Sequence, residues 1–171
     1  MKKTLWIIAV VACAAGVAPR LSAKSAGAGD LATDPYPDAQ AQVKKRLNDI
    51  WTNMAAKDLT KQESFHLYGP KFTEFKDDQA RGDAEANKKG EKEIIGALTD
   101  PKVEMKDLAI AVYGDTAIAT FNGDFSGKIG GKPIAMKQAS TMVFVKYRGD
   151  WKIVHEHFSP IGPMPGGPPG K

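Results

Sequence analysis

The chain has 171 residues, with 24 lysines and arginines, 20 aspartates and glutamates, one cysteine and 42% apolar residues. That length suits one domain, and the apolar fraction is sufficient for one hydrophobic core. After the N-terminus, no apolar stretch reaches the roughly 18 residues that a membrane-spanning helix needs. The charged fraction of 26% is ordinary, so the composition argues against a multi-pass membrane protein and against wholesale disorder.

Residues 1–23 have the pattern of a secretory signal peptide. Two lysines precede an apolar run from Leu5 to Ala18, and Leu21-Ser22-Ala23 offers small residues at a cleavage position. Cleavage after Ala23 would remove three basic residues and no acidic residue, which leaves a nearly neutral chain. We therefore expect a periplasmic or secreted protein. We expect no nucleic-acid partner, because nucleic-acid binding needs a basic stripe on the mature domain.

Cys13 leaves a second processing route open. The residues Val10-Val11-Ala12-Cys13 resemble a bacterial lipobox, in which the cysteine is lipidated and becomes the first residue of the mature protein. Contact with a membrane is expected only in that case. If cleavage follows Ala23 instead, the mature chain has no cysteine, which excludes disulfides, cysteine-ligated metals and a thiol nucleophile.

One domain, residues 38–161, is predicted between two loose segments. Residues 24–37 lack hydrophobic periodicity and are predicted to form a flexible linker. Residues 162–171 are rich in proline and glycine and are predicted to form a disordered tail.

Two helices are predicted at the start of this domain. An apolar helical stripe follows Asp38, a candidate N-cap, and consists of Val43, Leu47, Ile50, Trp51 and Met54. Thr60 and Glu63 have the spacing of a capping box, which would begin a second short helix ending at Gly69-Pro70.

A short strand is predicted from Phe72 to Phe75, followed by a mobile charged loop over residues 76–90. A third short helix carries Ile94, Ile95 and Leu98 and is expected to end at Asp100-Pro101, because the residue before a proline disfavours helix.

The second half of the chain changes to the period of strands. Four segments of alternating or continuous apolar residues are separated by turns that contain glycine and aspartate: residues 103–113, 116–129, 134–147 and 151–158. Helices followed by an antiparallel meander indicate an α+β fold, in which three helices pack on one face of the sheet.

Two of the predicted strands are apolar on both faces. Leu108 to Val112 and Ala117 to Ala119 do not alternate as the strands of a sheet with one wet face should. Because the helices can cover only one face, we predict that a second copy covers the other and that the protein is a homodimer through the outer sheet face.

The last predicted strand, Trp151 to Ser159, closely resembles the terminal strand of SnoaL-like, ketosteroid-isomerase-like proteins of the nuclear transport factor 2-like superfamily. That superfamily includes the association domain of calmodulin-dependent protein kinase. The resemblance covers most of residues 38–161 and takes in Trp51, Leu67 to Pro70, Gly90, Tyr113 to Ala117 and Gly149 to Trp151. It implies a cone, in which a strongly bent antiparallel sheet of about four to six strands wraps three helices around a pocket.

Glu156 is the candidate catalytic residue. It shares a strand face with Val154 and Phe158, and the resemblance to the kinase association domain implies that this face lines the pocket. A carboxyl group in an apolar cavity would be a general base or acid, whereas a rim carboxylate would pair with a neighbouring lysine or arginine. Tyr68 is the candidate oxyanion donor beside it, or else a core residue with its hydroxyl at the pocket rim. No second acid is identified, so the catalytic set is incomplete.

The predicted pocket residues are Trp51, Met142, Phe144, Val154 and Phe158. Arginines that line the pocket of the kinase association domain correspond here to Met142 and Phe158, so a buried cation for a ligand carboxylate is missing. The expected ligand is therefore a small, mostly apolar or neutral molecule. Because the same cone hosts different activities, three functions stay open: a ligand-binding pocket domain, an isomerase or cyclase, and an assembly module.

Three histidines could suggest a metal. His155 and His157 share one face of a strand and could supply two ligands, but a zinc site needs a third or fourth. The other histidine is His66, for which the sequence offers no obvious carboxylate partner nearby. We therefore assign His155 and His157 to the outer sheet face or a dimer seam and predict no metal and no cofactor.

Overall fold

The computed structural model of the chain describes residues 30–162. The predicted signal peptide, Cys13 and the predicted tail after Gly162 lie outside these residues. The described part of the predicted linker contains a turn, in which the Thr33 amide donates to the Asp30 carbonyl, and Tyr36 packs against the core.

Three helices and five strands make up the domain. The helices are α1 (Pro37–Ala56), α2 (Leu59–Ser64) and α3 (Ala84–Ala97). The strands are β1 (Thr73–Lys76), β2 (Leu98–Tyr113), β3 (Thr116–Ile129), β4 (Lys132–Tyr147) and β5 (Asp150–Pro160). The predicted α+β class and the cone are confirmed.

All five strands form one sheet in the order β1-β5-β4-β3-β2. The four long strands form the predicted antiparallel meander, but β1 pairs with β5 in parallel, so the sheet is mixed. A parallel pair needs a long connection, and α3 with the first three meander strands supplies it. Register shifts interrupt β2 twice and β5 once, and such bulges bend strands, as the cone requires.

The helix boundaries differ from those predicted because other aspartates provide the caps. Helix α2 begins after Asp58, whose side chain accepts from the Lys61 amide at 3.0 Å, instead of at the Thr60 capping box. Helix α3 begins after Asp83, so its first two turns occupy part of the predicted mobile loop over residues 76–90.

Two further predicted boundaries lie next to prolines and differ in the structure. Pro37 occupies the first turn of α1, where its missing amide hydrogen costs nothing, and Asp38 lies in that turn instead of capping it. Helix α3 ends at Ala97, before the predicted stop at Asp100-Pro101, and these two residues lie within β2 instead. Proline is tolerated at this point because β2 is an edge strand and its register is shifted between Thr99 and Lys102.

The core lies between α1 and the inner face of the sheet. Val43, Leu47 and Ile50 of α1 are buried against a cluster that includes Phe144 and Ile153. Full burial of each such side chain stabilises the fold by about 1.5–3 kcal/mol. This packing fixes one end of the sheet against α1 and leaves the space beside α3 to form a cavity. Among residues 30–162, none of the helices has the length and apolar character that crossing a membrane requires.

The outer face of the sheet carries a mostly apolar patch. Paired positions across the strands place Ala111 beside Ile118, Ile118 beside Val143, and Val143 beside His155. Among the strongly exposed large hydrophobic side chains, Phe75 lies on this same face, where its ring contacts His155, and Tyr113 and Tyr147 are exposed at 45% and 41%.

Candidate functional site

A cavity of about 280 Å³ lies between the helices and the inner face of the sheet. Its walls are mainly apolar and consist of Ile50, Trp51, Met54, Ile94, Leu98, Pro101, Val103, Phe125, Ile134, Met136, Met142 and Phe158. The Trp51 ring contacts the edge of the Phe125 ring at 5.4 Å between centroids, and its indole NH faces the Met105 sulfur at 3.2 Å. A cavity with such walls accepts the apolar body of a small molecule.

Three of the five residues predicted to line a pocket line this cavity: Trp51, Met142 and Phe158. Phe144 does not, because its side chain is fully buried in the core. Val154 does not either, because it occupies a bulge between two paired positions, Ile153 opposite Phe144 and His155 opposite Val143. The extra residue changes the parity of β5, so Ile153 and Glu156 both face inward and Val154 does not share their face.

The polar floor of the cavity consists of Glu74, Asn87, Glu91 and Glu156. Glu156 is only 4% exposed. Its Oε2 atom accepts a hydrogen bond of 2.8 Å from Nδ2 of Asn87, and its Oε1 atom lies 3.5 Å from Nε2 of His66. The basic partner of Glu156 in the described structure is therefore a buried histidine, and not a lysine or arginine at the rim.

Asn87 connects the polar groups of the floor. Its side chain is 3% exposed, and its amide group donates to the carboxyl groups of both Glu74 and Glu156. Glu74 and Glu156 are paired positions of β1 and β5, so their side chains meet on the same inner face. The Asn87 carbonyl oxygen accepts from the hydroxyl of Tyr68. One buried amide thus fixes two carboxyl groups and a phenol.

His66 lies behind Glu156 and does not line the cavity. Its Nδ1 donates to the Gln62 carbonyl at 3.2 Å, which directs Nε2 toward Glu156 and toward Glu91, whose Oε1 is 3.8 Å away. Nε2 is buried and makes no hydrogen bond with the residues that the structure describes. Burial opposes the charged imidazole, but the two carboxyl groups and the Gln62 carbonyl outweigh it and raise the pKa of His66.

Glu91 brings a second carboxyl group to the floor from α3. Its Oε1 accepts from Nε2 of Gln62 at 2.9 Å, and its Oε2 lies 3.4 Å from the Tyr68 hydroxyl. Burial raises the pKa of Glu91, and the charge of Glu156 acts in the same direction. His66 and the two hydrogen bonds oppose that rise without cancelling it. Glu91 is therefore a second acidic side chain at this floor, and the sequence did not indicate it.

Tyr68, the predicted oxyanion donor, does not line the cavity. Its hydroxyl donates to Asn87, and its ring stacks on the His66 ring at 4.7 Å between centroids. Burial, followed by the charges of Glu91 and Glu156, raises the pKa of Tyr68. The tyrosine supports the floor from behind and has no free hydroxyl to offer a ligand.

His155 and His157 lie on the outer sheet face, away from the cavity. The His155 Nδ1 is 2.8 Å from the Thr73 hydroxyl, and the Phe75 ring contacts both imidazoles by its edge. Residues 30–162 contain no group of three or more histidine, cysteine, aspartate or glutamate side chains arranged to hold a metal.

The sequence pattern did not indicate His66, Asn87 or Glu91 as site residues. Asn87 and Glu91 are four residues apart and share one face of α3, but the pattern placed this part of the chain in or just after a loop. Recognising Asp83 as the helix cap would have revealed that shared face. The position of His66 depends on a bridge to Ile153, which local patterns do not encode.

Solved structures with the same fold come from several organisms. One is an NTF2-like family protein from Streptomyces avermitilis, 19% identical, with a TM-score of 0.66, covering 73% of this chain and 98% of its own. Another, from Salmonella enterica, is a nuclear transport factor 2-like superfamily protein, 17% identical, with a TM-score of 0.65 and coverages of 75% and 95%. The CaMKII hub homology domain from Chlamydamonas reinhardtii is 22% identical, with a TM-score of 0.57 and coverages of 72% and 98%.

A comparison with curated proteins found no match. The family model described as the SnoaL-like domain matches residues 43–163, which is most of the chain and runs from within α1 to the end of β5. The fold, the cavity and this match lead to one conclusion: the chain belongs to the SnoaL-like domain family.

Proposed function

We propose that this protein is an exported, homodimeric pocket domain that binds a small molecule with a mostly apolar body. The cavity carries this proposal, because its apolar walls around Trp51 and Met142 end in a floor of hydrogen-bonded polar groups at Glu156 and Asn87. Pockets of this kind bind the body of a ligand by apolar burial and orient it with a few polar contacts.

Export and self-association rest on other features. The signal-peptide pattern of residues 1–23 supports a periplasmic or secreted location, with lipidation at Cys13 as the alternative. The apolar outer face around Ile118 and Val143 supports a dimer, because such a patch is costly to leave in water. A hub homology domain among the solved structures of this fold fits self-association.

Calorimetric titration with phenylpropanol, a neutral apolar alcohol, tests ligand binding. The wild type should bind this probe, and Met136→Phe should weaken binding at least about tenfold, because the larger ring enters the cavity. Lys137→Phe is the matched control, since this exposed residue is the next one on β4 and faces away. Equal binding by both variants would place the probe outside the cavity and contradict the proposal.

Acid–base catalysis is a second candidate function, favoured by the two carboxyl groups at the floor. Glu156 could accept a proton from carbon next to a ligand carbonyl. Glu91, whose raised pKa favours its protonated form, could donate a hydrogen bond to the carbonyl oxygen. The proton would move from carbon to the Glu156 carboxylate, leaving an enolate that is stabilised by Glu91.

Proton exchange into deuterated water distinguishes the two functions. Phenylpropanone should exchange its hydrogens next to the carbonyl faster with wild-type protein than in buffer, and Glu156→Gln should reduce the catalysed rate about 100-fold or more. Binding of phenylpropanone with no accelerated exchange would exclude this chemistry for that ketone and leave the binding function in place.

A further inference from the structure

The polar end of the cavity is acidic. Glu74 and Glu156 meet there from paired positions of β1 and β5, and Glu91 enters from α3. Asp77 also lines the cavity, which brings four carboxyl groups to its surface against the two amines of Lys76 and Lys102. Carboxyl groups therefore outnumber amines around this end of the cavity.

The floor has more hydrogen-bond acceptors than donors. The one Asn87 amide group is shared between Glu74 and Glu156, and the Gln62 amide serves Glu91. The Gln138 amide donates to Asp77, and the amines of Lys76 and Lys102 also line the cavity. A further donor, close to Glu156, is Nε2 of the His66 ring. It stays at 3.5 Å from Glu156 and makes no hydrogen bond with the described residues, although it is buried.

His66 can offset the charge of one carboxylate but cannot complete the floor. Its side chain is fully buried behind Glu156 and has no surface toward the cavity. Buried carboxylates are costly unless cations and donors surround them, and a charged donor contributes most. The group that fits the open side of this floor is a cation with several N–H donors.

We propose that the cavity selects a small amphiphile whose polar end is a protonated amine, seated between Glu156 and Glu74, and whose apolar body contacts Trp51 and Met142. This inference rests on the proposed binding function and specifies its ligand class. The missing arginines alone suggest a neutral ligand, whereas the carboxyl groups of Glu74, Glu91 and Glu156 at the cavity surface favour a cationic head.

Three probes with one apolar body and different heads test the selection: phenylpropylamine, phenylpropanol and phenylpropanoate. Calorimetric titration of the wild type at about pH 7 should give an affinity for the amine at least about tenfold higher than for the alcohol, and higher still than for the carboxylate. The alcohol binding as well as the amine would overturn the amine preference and retain the binding function. No binding by any probe would contradict both.

Variants that each remove one carboxylate test where the protonated amine of the ligand binds. Glu156→Gln should reduce the preference for amine over alcohol about tenfold. Glu74→Gln, at a less buried position, should also reduce the preference for the amine. This variant provides the test if Glu156→Gln fails to fold. Glu104→Gln, on exposed β2, removes the same charge away from the cavity and should keep the full preference. An unchanged preference in folded Glu74→Gln or Glu156→Gln would overturn the assignment.

Discussion

Nε2 of His66 lies 3.5 Å from Oε1 of Glu156 at the floor of the cavity, and both side chains are almost completely buried. The contact is longer than a normal hydrogen bond, and the imidazole is held from its other side by the Gln62 carbonyl. The two residues are 90 positions apart in the chain, and the bridge between His66 and Ile153 brings their segments together.

Replacing His66 by glutamine should destabilise the protein most at acidic and neutral pH. Because the pKa of His66 is raised above 6.5, the charged imidazole contributes fully below that pH, and its contribution is lost as pH rises through the folded pKa. We expect a loss of roughly 3 kcal/mol at about pH 6, which shrinks at higher pH. Urea denaturation of both proteins across pH measures this difference, and a difference that grows with pH would contradict the assignment.

Replacing Glu91 by glutamine should have the opposite pH profile. Its pKa is raised above the ordinary value of 4.5, so the folded protein favours the protonated form and is penalised as pH rises through and above 4.5. The variant cannot ionise at this position and should gain stability relative to the wild type between about pH 4 and pH 7. Denaturation midpoints across this range test the prediction, and a relative loss with rising pH would refute it.

Asn87→Leu should be strongly destabilising, by about 2–4 kcal/mol, because it leaves the carboxyl group of buried Glu156 without its amide donor. Asn122→Ala is the control, since the side chain of this exposed residue donates to Asp107 at the surface and its loss should change stability by less than about 0.5 kcal/mol. Urea-induced unfolding measures both changes. Similar values for the two variants would mean that Asn87 does not organise the floor.

Much of the fold could be predicted from the sequence because its signals are local. The period of two in the second half and its turns indicated the meander, and the apolar stripe after Asp38 indicated α1. The bulge at Val154 could not be predicted, because a single inserted residue changes strand parity without changing composition. In the structure Glu156 faces inward, whereas Val154, which simple alternation predicts on the same face, does not.

The polar floor was harder to predict than the walls. Trp51 and Met142 are large apolar residues, and such residues face inward in almost any arrangement. His66 and Asn87 acquire their roles only from partners far along the chain, which a single sequence does not reveal. The same reason explains the difference at Tyr68. The sequence suggests a hydroxyl that faces a ligand, whereas in the structure this hydroxyl donates to Asn87.

Val143→Glu should convert the proposed dimer into a monomer. Val143 lies between Ile118 and His155 on the outer face, so a charge there would have to be buried in the interface. Analytical ultracentrifugation of both proteins measures the mass in solution. Thr52→Glu adds the same single charge at an exposed position of α1, away from the outer sheet face, and should stay dimeric. A monomeric wild type would contradict the dimer directly.

A crystal structure with phenylpropanol tests the central claim most directly, because it shows whether the cavity takes a ligand and where. The alcohol should lie between Trp51 and Met142, with its oxygen within about 3.5 Å of a carboxyl or amide group of the floor. A cavity that stays empty while calorimetry reports binding, or one closed by the surrounding side chains, would contradict the pocket as the functional site.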